Sequence, residues 1–262
     1  MALRIPESPR VIYASNPLVD VICQVRFPRI LRIDSELPVA FQEAIRDQFP
    51  LFGELAVEVQ GLPSELVPSL PSQTKSYTFE SEDRLWKVTL TSEFIALSTP
   101  RYERWERFAS AFVLPLTALF EAYKPPFASR IGLRYVDVIL RSDLGLRDVA
   151  WSALIQPWVL GELTHLADED DVLGAARDVL VQLDGGARLR LRHGLTRTGQ
   201  DGEVGYRIDT DFYIENDLSY RSSAGVLDAL QRFNGQSGRL FRHMIQPKLH
   251  EAMGPKAVSG EQ

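Results

Sequence analysis

Arginine and aspartate recur at every second residue in two stretches of the chain. Arg188, Arg190 and Arg192 alternate along Ala187 to His193, and Asp209 and Asp211 alternate within Tyr206 to Ile214. On extended backbone alternate side chains share a face. Three guanidiniums would then line one strand and two carboxylates another, with Leu189, Leu191, Ile208, Thr210 and Phe212 behind them. Three chemistries fit. The arginines could hold phosphate, and the carboxylates could work as an acid–base pair. If the polar Thr196 to Gly205 stretch closes a hairpin, the two sets would instead neutralise each other as a cross-strand ladder. The ladder is preferred, because arginines that face carboxylates have little charge left for phosphate.

A second polar set sits in two apolar segments. Arg130 and Arg134 share one face of Arg130 to Leu140 and Asp137 projects from the other, while Asp20 and Arg26 punctuate Val19 to Phe27. If these segments pair at the centre of a sheet, their arginines need carboxylate partners or an anionic ligand, since an unpaired buried charge is costly. The preferred expectation is that Arg26 and Arg134 buttress a junction between two halves. Arg26, Arg130, Arg134, Asp137, Arg188, Arg190, Arg192, Asp209 and Asp211 are thus the candidate ligand or interface residues, and none is assigned a catalytic role.

Familiar catalytic and metal signatures are not found. His243 and His250 are seven residues apart and would share a helix face, but two ligands do not make a zinc site, and no HExxH or CxxC accompanies them. His165 and His193 stand alone. There is no Gly-x-Ser-x-Gly elbow, no P-loop and no GxGxxG. The acidic run Asp168 to Asp171 reads as a solvated segment rather than a calcium loop. The sequence names no cofactor and no metal, and leans away from an enzyme.

Composition narrows the classes. With 262 residues, 45% hydrophobic and 24% charged, the chain can bury a large core without disulfides. The net charge of −6 argues against broad nucleic-acid binding. The single cysteine, Cys23, falls on an apolar strand face and reads as a small buried hydrophobe. No run of eighteen apolar residues occurs, and Met1 to Asn16 lacks a secretory pattern, so no membrane association and a cytoplasmic location are expected. Oligomeric state is not legible.

The elements that must position these residues follow one order twice. Val19 to Phe27 is a strand, and Leu37 to Phe49 a helix capped by Asp34 or Ser35. A strand at Leu55 to Gln60 and a proline-rich surface loop at Gly61 to Ser72 come next, followed by a meander over Ser76 to Glu80, Leu85 to Leu90 and Phe94 to Ser98. Thr99 and Pro100 open a long helix with Trp105, Phe108, Phe112, Leu116, Leu119 and Tyr123 on one stripe, kinked at Pro115. The second round runs from Arg130 to Leu140 through helical turns within Leu146 to Leu166. Strands at Val179 to Leu183, Ala187 to His193 and Tyr206 to Ile214 follow. It closes on a helix capped by Ser222 or Ser223 that spans Ala224 to Met253, breakable at Gly235, Gly238 or Pro247. Pro255 to Gln262 reads as a frayed tail.

The expected fold class is α+β: tandem β-α-β(3-4)-α halves, 1–128 and 129–262, packed as one unit with antiparallel sheets that each grip a long helix. This arrangement resembles the TATA-binding-protein-like and helix-grip folds. Three motifs carry a more specific likeness: Asn16-Pro17-Leu18-Val19-Asp20-Val21 with Arg26-Phe27-Pro28, the central Arg130-Ile131-Gly132-Leu133-Arg134-Tyr135-Val136, and the helix from Leu240-Phe241 to His250-Glu251. They resemble a sporadically distributed family of uncharacterised bacterial proteins of about this length. The resemblance implies an accessory role in defence or toxin control and supplies no catalytic residues. Two functions are carried forward. The first is a non-enzymatic recognition or regulatory module that binds a protein partner through its sheet or the Gly61 to Ser72 loop. The alternative is a small-molecule or nucleotide binder, with or without hydrolysis, that uses a cleft between sheet and helix. An interior filled by Trp105, Phe108, Phe112 and Phe241 would leave that cleft no room. Nucleic-acid binding along Arg188, Arg190 and Arg192 is the weakest possibility.

Overall fold

In a computed structural model that describes residues 4–56, 75–165, 172, 174–198, 202–216 and 219–257, the chain is α+β with a nine-stranded sheet and a two-stranded sheet. The strands are β1 (Val11–Tyr13), β2 (Leu18–Arg26), β3 (Leu51–Ala56), β4 (Lys75–Glu80), β5 (Lys87–Thr91), β6 (Phe94–Thr99), β7 (Arg130–Ile139), β8 (Ala175–Gln182), β9 (Arg188–Thr198), β10 (Glu203–Glu215) and β11 (Pro255–Ala257). The six α-helices among the described residues are α1 (Leu31–Ser35), α2 (Val39–Ile45), α3 (Trp105–Tyr123), α4 (Pro157–Leu160), α5 (Ser223–Met244) and α6 (Pro247–Ala252). None is long and apolar enough to cross a membrane.

The large sheet has the order β3-β4-β5-β6-β2-β7-β10-β9-β8, antiparallel throughout. At its centre β2 pairs with β7, Val21 opposite Tyr135, Cys23 opposite Leu133 and Val25 opposite Ile131. The apolar alternation of both strands therefore falls on one face, where Phe108, Phe112, Leu116 and Leu119 of α3 and Val226, Leu230, Phe233 and Leu240 of α5 complete a single core. Cys23 is fully buried there. The opposite, outer face carries Gln24, Arg26, Arg130, Arg134, Asp209 and Asp211.

Several elements differ from the sequence expectation, each for a local reason. The helix expected over 37–49 is the shorter α2, preceded by the separate α1. Asp34 and Ser35 lie inside α1 instead of capping, because the Asp34 carboxylate is held by Arg29 Nη2 at 2.8 Å and Ser35 Oγ donates to the Arg32 carbonyl. Pro38 starts α2, since the residue before a proline is pushed out of helical geometry. Thr99 ends β6 rather than opening α3; its Oγ1 accepts from the Arg101 backbone, and the helix begins at Trp105 and runs through Pro115. The expected helix within 146–166 is two short 3-10 turns and α4. Ser222 Oγ caps α5 by accepting from Gly225 N at 3.2 Å. That helix runs through Gly235 and Gly238 and ends before Pro247, which starts α6. The segment from Pro255 is no frayed tail as far as Ala257: it pairs with β1, Val11 opposite Ala257 and Tyr13 opposite Pro255. The expected strand at 55–60 starts earlier, at Leu51. Its remainder, the Gly61 to Ser72 loop and the acidic run at 168–171 lie outside the described residues.

Candidate functional site

On the outer face the central strands present an array of ion pairs. Arg134 grips Asp209 with two parallel bonds, Nε to Oδ1 at 2.7 Å and Nη2 to Oδ2 at 2.6 Å, and both side chains are almost fully buried. A planar guanidinium on a carboxylate is the strongest geometry such a pair can adopt. Arg130 Nη2 meets Asp211 Oδ2 at 2.6 Å, and its Nη1 reaches Gln24 Oε1 at 3.4 Å. This guanidinium lies across Gly132, where a Cβ would collide with it, and stacks 4.5 Å from the centroid of the Tyr213 ring on the neighbouring strand. The glycine of the central motif thus lets Arg130 lie flat on the sheet. Arg192 and Arg207 add their charge to Asp209 at 3.6 and 3.1 Å.

The expected ladder forms in register, and Arg192 pairs with Asp209 at 3.6 Å as expected, but the closest partners come from elsewhere. Arg192 stands opposite Asp209 and Arg190 opposite Asp211. Asp209 is nevertheless taken chiefly by Arg134 and Asp211 by Arg130, from the other flanking strand. Arg190 turns outward to a bidentate pair with Asp178 of β8, closest at 2.6 Å, and Arg188 pairs with Glu215. Arg26 meets Glu93 at 3.6 Å. The expectation that Arg26 and Arg134 jointly brace the β2–β7 junction is met only by position, because each pairs away from the other. Burial raises the pKa of Asp20 and of Asp211 above the ordinary aspartate value, and Arg134 opposes that rise at Asp20, as Arg130 and Arg134 do at Asp211.

The residue that departs from this pattern is Asp137. Alternation along β7 turns it to the helix side, where it is 6% exposed and makes no side-chain hydrogen bond to a described residue. Loss of hydration, reinforced by the charge of Asp209, lifts its pKa to about 8. Asp137 opens on a cavity of about 310 Å³ between the sheet, α5, the start of α3 and the segment 8–18. A bulge shapes this wall: the β2–β7 register shifts between Leu18 and Asp20, which sets Leu18 opposite Asp137.

Aromatic rings and cations form the remaining wall. Tyr102 and Tyr135 both donate to Asn234 Oδ1, at 3.3 and 2.9 Å. The Tyr13 hydroxyl meets His250 Nδ1 at 2.8 Å, and its ring packs edge-on to Phe241. Burial pushes the Tyr13 and Tyr102 hydroxyls up to about 12; Arg242 works against this at Tyr13 and Asp137 reinforces it. Burial lowers the His250 pKa, and Arg242 lowers it further. Arg10 is paired with Glu106 at 2.6 Å and Arg239 with Glu7 at 3.4 Å, whereas Arg104 and Arg242 join no described salt bridge. Gly235 and Gly238 face this space from α5. A Cβ on Gly235 would meet only the tip of Arg239 at 3.9 Å, and one on Gly238 would meet nothing within 4 Å.

The histidines do not converge. His243 lies near Trp158 on α5 while His250 belongs to α6, because Pro247 breaks the helix on which they would have aligned. His193 is buried against the Tyr206 hydroxyl at 2.9 Å, its pKa lowered to about 4 by burial and by Arg177. Among the candidate residues, Arg130, Arg134, Arg192, Asp209 and Asp211 are brought together on the outer face, Arg26, Arg188 and Arg190 lie at its margins, and Asp137 stands on the other side. Sequence reasoning missed Tyr13, Tyr102, Tyr135, Asn234 and Arg242. The signal that could have found them was the glycine pair in an otherwise amphipathic helix. No protein-family model matches the chain, and no similar curated protein is found.

Proposed function

We propose that the protein binds a small molecule in the cavity between β7 and α5. One observation carries this reading: an almost fully buried carboxyl without a side-chain partner opens on a space large enough for a ligand. A buried acid held at a pKa of about 8 lowers stability at neutral pH, and such costs concentrate where binding or catalysis needs them. The volume of about 310 Å³ is at the lower end of ordinary ligand sites, roughly 300–1,000 Å³. Trp105, Phe108 and Phe112 are buried in the core, yet Phe241 borders open space, so the side chains expected to fill the interior leave room. The test is a thermal-shift screen of a metabolite library against the protein and a Gly235→Leu variant, whose side chain would occupy the space. Compounds that raise the melting temperature of the former and not the latter support the reading, and a library without such compounds contradicts it.

A protein-binding role is the second reading, and one observation favours it. Edge strand β8 exposes Val179 and Leu180, the latter at 62%, and an edge of this kind accepts an added strand. Pull-down with wild-type protein and a Leu180→Lys variant separates it from the first. We further infer a tandem duplication of the TATA-binding-protein-like or helix-grip kind. From the β2–β7 junction the sheet runs outward through β6, β5 and β4 on one side and β10, β9 and β8 on the other, and each half ends in a long helix. Superposition of the halves about residue 128 tests this. The cytoplasmic location, from the sequence pattern, and the accessory role in bacterial defence or toxin control, from the sequence resemblance, stand as proposals, to be tested by fractionation and by deletion in the native host.

A further inference from the structure

If the cavity is a ligand site, as proposed above, its wall narrows the chemistry of the ligand. Asp137 supplies hydrogen-bonding oxygens at a position 6% exposed, with no side-chain partner among the described residues to compete for them. Tyr13, Tyr102 and Phe241 supply planar apolar surface. Arg104 and Arg242 supply positive charge that no described carboxylate neutralises by a salt bridge. Tyr13 feels both Arg242 and Asp137, so the acid and the cation lie within electrostatic reach of one ring, and all three border the same cavity.

An aromatic-walled space with a carboxyl at one side and guanidiniums at another fits a planar, nitrogen-bearing ring with an anionic tail. We propose that the cavity takes a nucleoside monophosphate whose base carries an exocyclic amine, the amine donating to the Asp137 carboxyl and the phosphate facing Arg104 and Arg242. Carboxylates recognise such amines on base edges by accepting from them. Burial keeps Asp137 protonated through much of the neutral range, so its O–H adds a donor for the ring nitrogen beside the amine. Adenine and cytosine present that edge, whereas uracil and hypoxanthine lack the amine. Stacking on tyrosine and phenylalanine tolerates either ring size.

Isothermal titration with AMP, IMP, CMP and UMP tests this in the full-length protein. AMP is expected to bind at least about tenfold more tightly than IMP, and CMP than UMP, because a site built to hydrogen-bond a group rejects the analogue without it. Asp137→Val should bring AMP and IMP together, while Asp137→Asn, which keeps one acceptor and one donor, should retain the preference. Asp137 has no side-chain hydrogen bond or salt bridge among the described residues for either substitution to break, so both variants are usable. Equal binding of AMP and IMP, or a preference that survives Asp137→Val, overturns the proposal. If no nucleotide binds while the Gly235→Leu screen finds other cavity ligands, the nucleotide proposal fails and the cavity reading stands. If neither experiment finds a ligand, both fall.

Discussion

Replacing Asp137 by asparagine should make the protein more stable at neutral pH, which is the reverse of the usual effect of altering a buried polar residue. In the folded state burial holds the carboxyl protonated up to about pH 8, against 3.8 for an unperturbed aspartate. Between those values the native state carries one proton more than the unfolded chain, so stability falls as pH rises; below 3.8 there is no penalty, and above 8 the full penalty stays constant. At pH 7 the interval above the unfolded value is about three pH units, and at ~1.4 kcal/mol per unit the penalty is about 4 kcal/mol. At pH 4.5 the same linkage leaves about 1 kcal/mol. Asparagine is nearly isosteric with the protonated acid and cannot ionise, so it escapes the penalty. The other buried carboxylates, Asp209 and Asp211, and the half-buried Asp20 are present in both proteins and drop out of the difference. Urea unfolding of the two proteins at both pH values reads the effect from the midpoints and slopes. A variant that is no more stable than wild type at pH 7, or whose gain is the same at both pH values, would refute the reasoning.

Two further perturbations probe the two faces of the sheet. Arg134→Met should cost about 3–5 kcal/mol in denaturant unfolding, because it strips Asp209 of its bidentate partner inside the sheet. Adding Asp209→Leu should recover most of that loss, and a double variant as unstable as the single one would contradict the account. Gly238→Ala should raise stability by up to about 1 kcal/mol in thermal unfolding, since alanine is the better helix former and its methyl group meets nothing; a loss of stability would show that this part of α5 is packed.

What the sequence discloses here follows from the range of the forces involved. The alternation of Val21, Cys23 and Val25 and of Ile131, Leu133 and Tyr135, and the stripe of α3, are local patterns set by core burial, and they mark β2, β7 and α3 to within a few residues except at the N-terminal end of α3. The same alternation separates Arg134 from Asp137. Partner choice among charges is not local: Asp178 takes Arg190 from a strand that extends N-terminal to its apolar run, and Arg134 reaches Asp209 across 75 residues of sequence. Helix starts also escape the pattern, as at Asp34, where an arginine competes for the capping carboxylate. The cavity was least legible, because its walls come from four separated segments, one of which holds β1, and β1 is held in place by pairing with β11, a strand with no apolar period at all. Gly235 and Gly238 mark it in the sequence, but a glycine in a helix equally suggests a break.

The most direct test of the central claim is a crystallographic fragment screen of the unmodified protein. Chemically unrelated fragments should superpose in the space bordered by Tyr13, Tyr102 and Phe241, with a polar atom at hydrogen-bonding distance from the Asp137 carboxyl. Fragments scattered over the surface while that space holds only water, or a space closed by Phe241, would contradict the assignment of a ligand site.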